Sequence, residues 1–199
     1  GGNLDHQQLV DLVAEKFNPF PNQDLIESEK ATYTGGSKLE LDAELSQLHL
    51  IIGYEGVTLD SKDYYTLEML ASILGGSISS RLFQEIREKR GLVYSISSFC
   101  QYYLDAGVFG IYLSAESKKQ QEIISLISEE IQKISQNITQ EEIDRCLAQV
   151  KSSLYMSRET ADNWVSILAS NYSCYGRYIS REEIWNGYLN VTIEKLHKL

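Results

Sequence analysis

The stretch Leu74-Gly-Gly-Ser-Ile-Ser-Ser-Arg-Leu-Phe-Gln-Glu-Ile-Arg-Glu-Lys-Arg-Gly-Leu-Val-Tyr-Ser-Ile-Ser-Ser98 carries a helix breaker, a short helix, a capping glycine and a strand in immediate succession. Gly75-Gly76-Ser77 stops the helix before it, since glycine is a poor helix former. Arg81 to Arg90 predicts a second helix, with Leu82, Phe83 and Ile86 as its apolar side. Lys89 and Arg90 put cations in the last turn and Gly91 follows as a cap, both favourable to a helix C-terminus. Arg81, Glu85 and Lys89 recur at i, i+4 spacing and predict a solvated charge ladder. Leu92 to Phe99 then reads as a strand. The glycine pair is not a phosphate loop, because no Gly-Lys-Ser/Thr follows it.

On the N-terminal side, Asp63 to Leu74 places Leu67, Leu70, Ala71 and Leu74 on one helical face. Lys38 to Asp42 alternates like a half-exposed strand, and Leu48, Leu50, Ile52 and Tyr54 alternate on one face of another. Val108 to Ser114 is a further strand, joined to Leu92–Phe99 by a turn near Asp105-Ala106-Gly107, as in a hairpin. Capping boxes Ser117-x-x-Gln120, Thr139-x-x-Glu142 and Ser180-x-x-Glu183 open three helices. Ile123, Ile124, Ile127, Ile131 and Ile134 line the first of these, and Ile143, Leu147, Val150 and Leu154 the second. A fourth box, Asp5 with Gln8, opens a helix over about 6–17. The order predicts an α+β fold, an antiparallel sheet with helices packed on one face. Residues 18–37 hold both prolines, Pro19 and Pro21, end in Gly35-Gly36-Ser37, and read as a linker. The opening helix therefore reads as the tail of a preceding domain, and 38–199 as one compact body.

The composition, 43% apolar and 23% charged over 199 residues, is that of a globular chain. A net charge of −10 argues against nucleic acid or an anionic membrane as partner, since phosphate binding needs a basic stripe. No run approaches the apolar length of a membrane span, and Gly1-Gly2-Asn3-Leu4-Asp5 is not a signal peptide. Cys100, Cys146 and Cys174 form neither a CxxC nor an even set, which predicts reduced, partly buried thiols. Asn137, Asn171 and Asn190 head sequons, informative only in a secreted protein.

The 74–98 stretch resembles the C-terminal domain signature of insulinase/pitrilysin-type zinc metallopeptidases. The likeness is greatest to the two-domain group that includes bacterial processing proteases and the mitochondrial processing peptidase. Its pattern is a Gly-Gly break, Ser-Arg-Leu-Phe, an arginine, and a tyrosine seven residues later; here these are Gly75-Gly76, Ser80 to Phe83, Arg87 and Tyr94. Gly2-Asn-Leu-Asp-His6 resembles the end of the family's N-terminal domain. The resemblance implies that Arg87 and Tyr94 are catalytic residues lent to an active site on the other half. It also implies a substrate-binding role for Gly75 and Gly76. The chemistry suits such roles. A helix turning directly into a strand lets both side chains reach one space. Arginine offers a rigid fork of N–H donors to a substrate carbonyl, and a tyrosine hydroxyl can donate to the oxyanion formed when water attacks that carbonyl.

The resemblance further implies zinc in the complete enzyme, held on an inverted His-x-x-Glu-His motif. This chain has only His6, His49 and His197, and none begins that motif, so the expectation is that it binds no metal itself. The implied partners are a zinc-binding N-terminal half, on the same polypeptide or a partner subunit, and a peptide substrate, with a dimer possible. A bacterial cell or the mitochondrial matrix is the implied setting. The family also has non-catalytic members that serve as structural or substrate-binding subunits. The subunit that only binds substrate has a longer glycine-rich loop than Gly75-Gly76-Ser77. A peptide-binding module without any enzyme context is a third reading. Both ends of the chain read as cut, the second because the family's domains carry a strand beyond the last helix.

Overall fold

A computed structural model describes residues 3–18, 29–42 and 44–199. Among them the chain forms two compact units, one from the described residues of 31–151 with 180–199, the other from those of 1–30 with 152–179. The larger holds a three-stranded antiparallel sheet of order β1-β3-β2, built from β1 (Leu48–Glu55), β2 (Val93–Tyr102) and β3 (Gly107–Ala115). Leu48, Leu50 and Ile52 of β1 stand opposite Ala115, Leu113 and Ile111 of β3, which in turn face Val93, Ile96 and Ser98 of β2. These residues share one face, and Ile111, Leu113 and Ala115 are almost wholly buried there. The opposite face carries His49, Ile51 and Tyr112, and Ile51 is 63% exposed. The sheet therefore has one apolar and one open side, as alternating strands dictate.

Helices cover the apolar side. α2 (Tyr64–Gly75) lies against β2, with Leu67, Met69, Ala71, Ile73 and Leu74 buried. α3 (Gln120–Asn137) buries Ile123, Ile127 and Ile134, and α4 (Gln140–Met156) buries Ile143 and Cys146. α6 (Arg181–Leu189) meets α2 through Tyr188 against Tyr65, ring centroids 5.1 Å apart. α7 (Ile193–Lys198) packs Leu196 into the same core and touches α2 and α3. The expected α+β architecture is the one observed.

The cap chemistry mostly follows the sequence. Thr139 and Glu142 close their box reciprocally, with Glu142 Oε2 accepting from Thr139 N at 2.9 Å. Ser180 caps Glu183 N, and Asp5 caps Gln8 N at the head of α1 (His6–Phe17). Ser117 departs from expectation. It opens a 3₁₀ turn, Ser117–Lys119, and makes no side-chain cap, so α3 proper begins at Gln120. Residues 38–42 are a second correction: they form no strand, and Leu39 and Leu41 are 78% and 88% exposed. Alternating apolar and charged residues satisfy strand spacing, but a strand also needs a ladder partner, and none of the described residues pairs with them. The prolines of the expected linker lie outside the described residues.

The smaller unit contains α1 and α5 (Ala161–Tyr175), neither with a buried residue. α5 is capped by Thr160 and ends at Gly176, whose φ of +65° is the left-handed geometry that glycine adopts freely. Arg158 binds the Tyr178 hydroxyl at 2.6 Å and lies over the Trp164 ring at 4.9 Å.

Candidate functional site

The site-bearing stretch begins where α2 ends. A side chain on Gly75 would strike the Ser98 backbone of β2, and one on Gly76 would strike Ser72 of the last α2 turn. Gly75 is thus required where the helix end and strand approach closely, and Gly76 where the chain folds against the last helical turn. Ser98 Oγ fastens the contact by donating to Ala71 O at 2.5 Å.

The expected helix over 81–90 forms with a modification. Its centre, Phe83–Glu88, is π-helical, with Lys89 N bonding Gln84 O at 3.0 Å. Leu82 and Ile86 are fully buried and anchor its inner side. Gly91, at φ +61°, ends it. Gly91 N reaches Arg87 O at 3.0 Å and Leu92 N reaches Ile86 O at 3.1 Å, locking the turn to the strand that follows. Single π turns occur often at functional sites, because the extra residue swings the outer side chains relative to the buried ones.

Arg87 lies on that outer side, exposed, its guanidinium 4.6 Å above the Phe83 ring. Among the described residues no carboxylate or hydrogen-bond acceptor engages it. The nearby Glu85 is already paired: it accepts from both Lys89 and Arg90, and those bonds hold its carboxyl below the usual range. Tyr94 is 52% exposed and occupies a β-bulge. Val93 stands opposite Ala115 and Ser95 opposite Ser114, so Tyr94 has no partner residue on β3. A bulge of this kind re-aims a side chain that a regular ladder would direct by alternation. The Tyr94 hydroxyl also makes no hydrogen bond among the described residues. Arg87 and Tyr94 thus flank one capped turn, each on a local irregularity, each with a polar end that no described group hydrogen-bonds.

The charge ladder expected of Arg81, Glu85 and Lys89 is not formed. Lys89 meets Glu85, but Arg81 turns inward to Glu142 of α4, Nε to Oε1 at 2.6 Å and Nη2 to Oε2 at 2.7 Å. Spacing along one helix cannot reveal a partner 61 residues away. The cation–π support from Phe83 and the bulge at Tyr94 also have no sequence signature of their own.

The histidines stand apart in role. His49 Nδ1 lies 2.9 Å from the Tyr112 hydroxyl on the open face of the sheet, His6 opens α1 and His197 sits in α7. Among the described residues no three His, Cys, Asp or Glu side chains cluster as a metal site would require, so these residues do not fit a zinc ion. All three cysteines are free thiols: Cys146 is buried, Cys100 half-buried with its thiol pushed up to about 11 by burial, and Cys174 exposed. No described helix is long and apolar enough to cross a membrane.

A protein-family model described as the peptidase M16 inactive domain matches residues 1–150. The chain belongs to the peptidase M16 family. It corresponds to the C-terminal half of the insulinase-type M16 pattern. A Rickettsia bellii protein named an uncharacterized zinc protease is 36% identical over 191 residues, which cover 96% of this chain and 46% of that protein. The M16 inactive domain from Pseudomonas fluorescens is 25% identical, with a TM-score of 0.67 over 77% of this chain and 37% of its own. A protease from Helicobacter pylori shares the M16 fold at a TM-score of 0.74 and 20% identity, covering 98% of this chain and 49% of its own. The chain spans about half the length of the curated relatives it matches.

Proposed function

We propose that this chain is the substrate-facing half of a zinc metalloendopeptidase whose metal is held by a separate N-terminal half. On this reading residues 1–17 close the preceding, zinc-holding domain, and 38–199 form the substrate-binding domain. The observation that supports the proposal is that Arg87 and Tyr94 flank the Gly91 turn, with both polar ends unengaged by the described residues. An arginine with no ion-pair partner among the described residues, steadied by an aromatic ring, is available to a ligand's carbonyl or carboxylate.

Arg87 then donates N–H groups to a backbone carbonyl of an extended peptide and fixes the register of the chain being cut. Tyr94 donates its hydroxyl to the oxygen that gains charge at the scissile carbonyl. Gly76, exposed at the end of α2, contributes a surface without a side chain beside the peptide, and Gly75, buried against Ser98, lets that end lie close to β2. Recognition is mainly of backbone, through hydrogen bonds to an extended strand, so side-chain preference stays broad. Zinc supplies an activated water in such enzymes; this chain's residues bind and orient.

The test is cleavage of a quenched fluorogenic peptide, in the presence of zinc, by this chain alone and after mixing with a zinc-bearing N-terminal half. Cleavage only on mixing, lost in Arg87→Ala and Tyr94→Phe, supports the proposal. Chelator-sensitive cleavage by the chain alone overturns it. Halves that bind one another yet stay silent favour a non-catalytic structural or substrate-binding subunit.

A further inference from the structure

Arg81 occupies a position that the proposed chemistry does not explain. Its side chain is only 14% exposed and that of Glu142 only 15%. Besides the two bonds to Glu142, Nη1 donates to Asn137 Oδ1 at 2.7 Å and Nη2 to Asn137 O at 2.9 Å. Asn137 is the last residue of α3, so the guanidinium meets a terminal helix carbonyl, where a cation is favoured. Glu142 meanwhile accepts from Thr139 N and Oγ1 at the head of α4. One guanidinium therefore joins three elements: the end of α3, the start of α4, and the segment leading into the π turn. A carboxylate and an arginine this well satisfied form a rigid two-pronged joint rather than a mobile surface pair.

We infer that Arg81 is a positioning residue: its clasp on Glu142 and Asn137 sets the rotation of the π-helical segment and so the direction in which Arg87 is presented. Buried Leu82 and Ile86 fix how deep that segment sits, but apolar contacts alone leave its rotation soft. The clasp supplies a directional constraint at the segment's start, and the Gly91 and Leu92 backbone bonds supply one at its end. Arg87 lies between the two. This role rests on the reading of Arg87 as a substrate contact, and it adds the α3–α4 turn to the machinery of that site.

Two experiments test it. In the chain alone, amide hydrogen exchange is followed at Gly91 and Leu92 in Arg81→Lys, which keeps the charge but not the fork. Exchange at these amides is expected to rise about tenfold while the β3 amides keep their protection; unchanged exchange at Gly91 and Leu92 overturns the proposal. In the reconstituted assembly, kcat/KM is measured for Arg81→Lys, Arg87→Ala and the double variant. Arg81→Lys should cost about tenfold when Arg87 is present and less than about twofold when it is not. Equal losses in both backgrounds mean that Arg81 serves stability alone, and the positioning role falls. An Arg87→Ala variant with full activity defeats the site reading first, and the positioning role with it. If Arg81→Lys fails to fold, Asn137→Ala, which removes one of the four bonds, takes its place in the same cycle.

Discussion

A methyl group on Gly75 would lie 2.5 Å from the backbone nitrogen of Ser98 and 2.8 Å from its Oγ. The obstructing atoms include main chain, which cannot rotate aside as the tip of a side chain can. Gly75→Ala should therefore separate α2 from β2 and cost about 1–3 kcal/mol as an overpacking change. Urea unfolding measures it, and an unchanged midpoint would show that the helix end can slide.

Ile127 is 1% exposed on the inner face of α3, whereas Leu147 on α4 is half-buried. Ile127→Ala should cost about 2–5 kcal/mol. Leu147→Ala should cost less, since part of its surface stays in water when the protein folds. A reversed order in equilibrium unfolding contradicts the packing described.

Glu142 sets an acid limit. Burial pushes its carboxyl up, but the Arg81 guanidinium and the Thr139 bonds outweigh burial and hold it below the usual range. A depressed folded-state pKa contributes stability present above the unfolded value and lost as pH falls through the folded one. Glu142→Gln should thus be less stable than wild type at pH ~7, on the order of 1–3 kcal/mol. The gap should narrow once acid has neutralised the wild-type carboxylate. A gap that is constant with pH would mean that the ion pair contributes nothing.

Glu68 on α2 works in the opposite sense. Burial pushes its carboxyl above the usual range, and the neighbouring Tyr102 phenol offsets only part of this. A raised folded-state pKa gives stability fully present below the unfolded value and lost as pH rises through the folded one. Glu68→Gln should therefore raise the neutral-pH Tm, with the benefit disappearing in acid. Tm against pH for the two proteins reads this directly, and parallel curves would refute it.

Tyr94→Phe removes one exposed hydroxyl that no described group holds. Its unfolding midpoint should match wild type, while kcat in the reconstituted assembly should fall by roughly 10²–10³, the usual worth of an oxyanion donor. A loss confined to KM would make Tyr94 a binding contact only.

What could be read from the sequence was what local spacing controls. The periodicity of Asp63 to Leu74, the Gly75-Gly76 break, the Gly91 cap and the Asp105 to Gly107 turn each depend on neighbours within a few residues, and each appears in the fold. Residues 38–42 show the converse, because pairing is a long-range property that alternation only permits. Arg81 shows it for side chains: i, i+4 neighbours were available on its own helix, but a buried carboxylate on α4 offered two strong bonds. The candidate site was legible as the residues Arg87 and Tyr94. The π turn and the bulge that present them were not, since both are shifts of one residue in hydrogen-bond register.

If Tyr94 has the role proposed for it, that bulge separates the shape of the protein from its chemistry at the scale of one codon. Deleting Tyr94 would place Val93 and Ser95 on consecutive rungs opposite Ala115 and Ser114, with Val93 and Ile96 still on the apolar face. The ladder would become more regular, and no core residue would change sides. A lineage can therefore drop the hydroxyl in a single step and keep an intact subunit, ready for duties that involve no reaction.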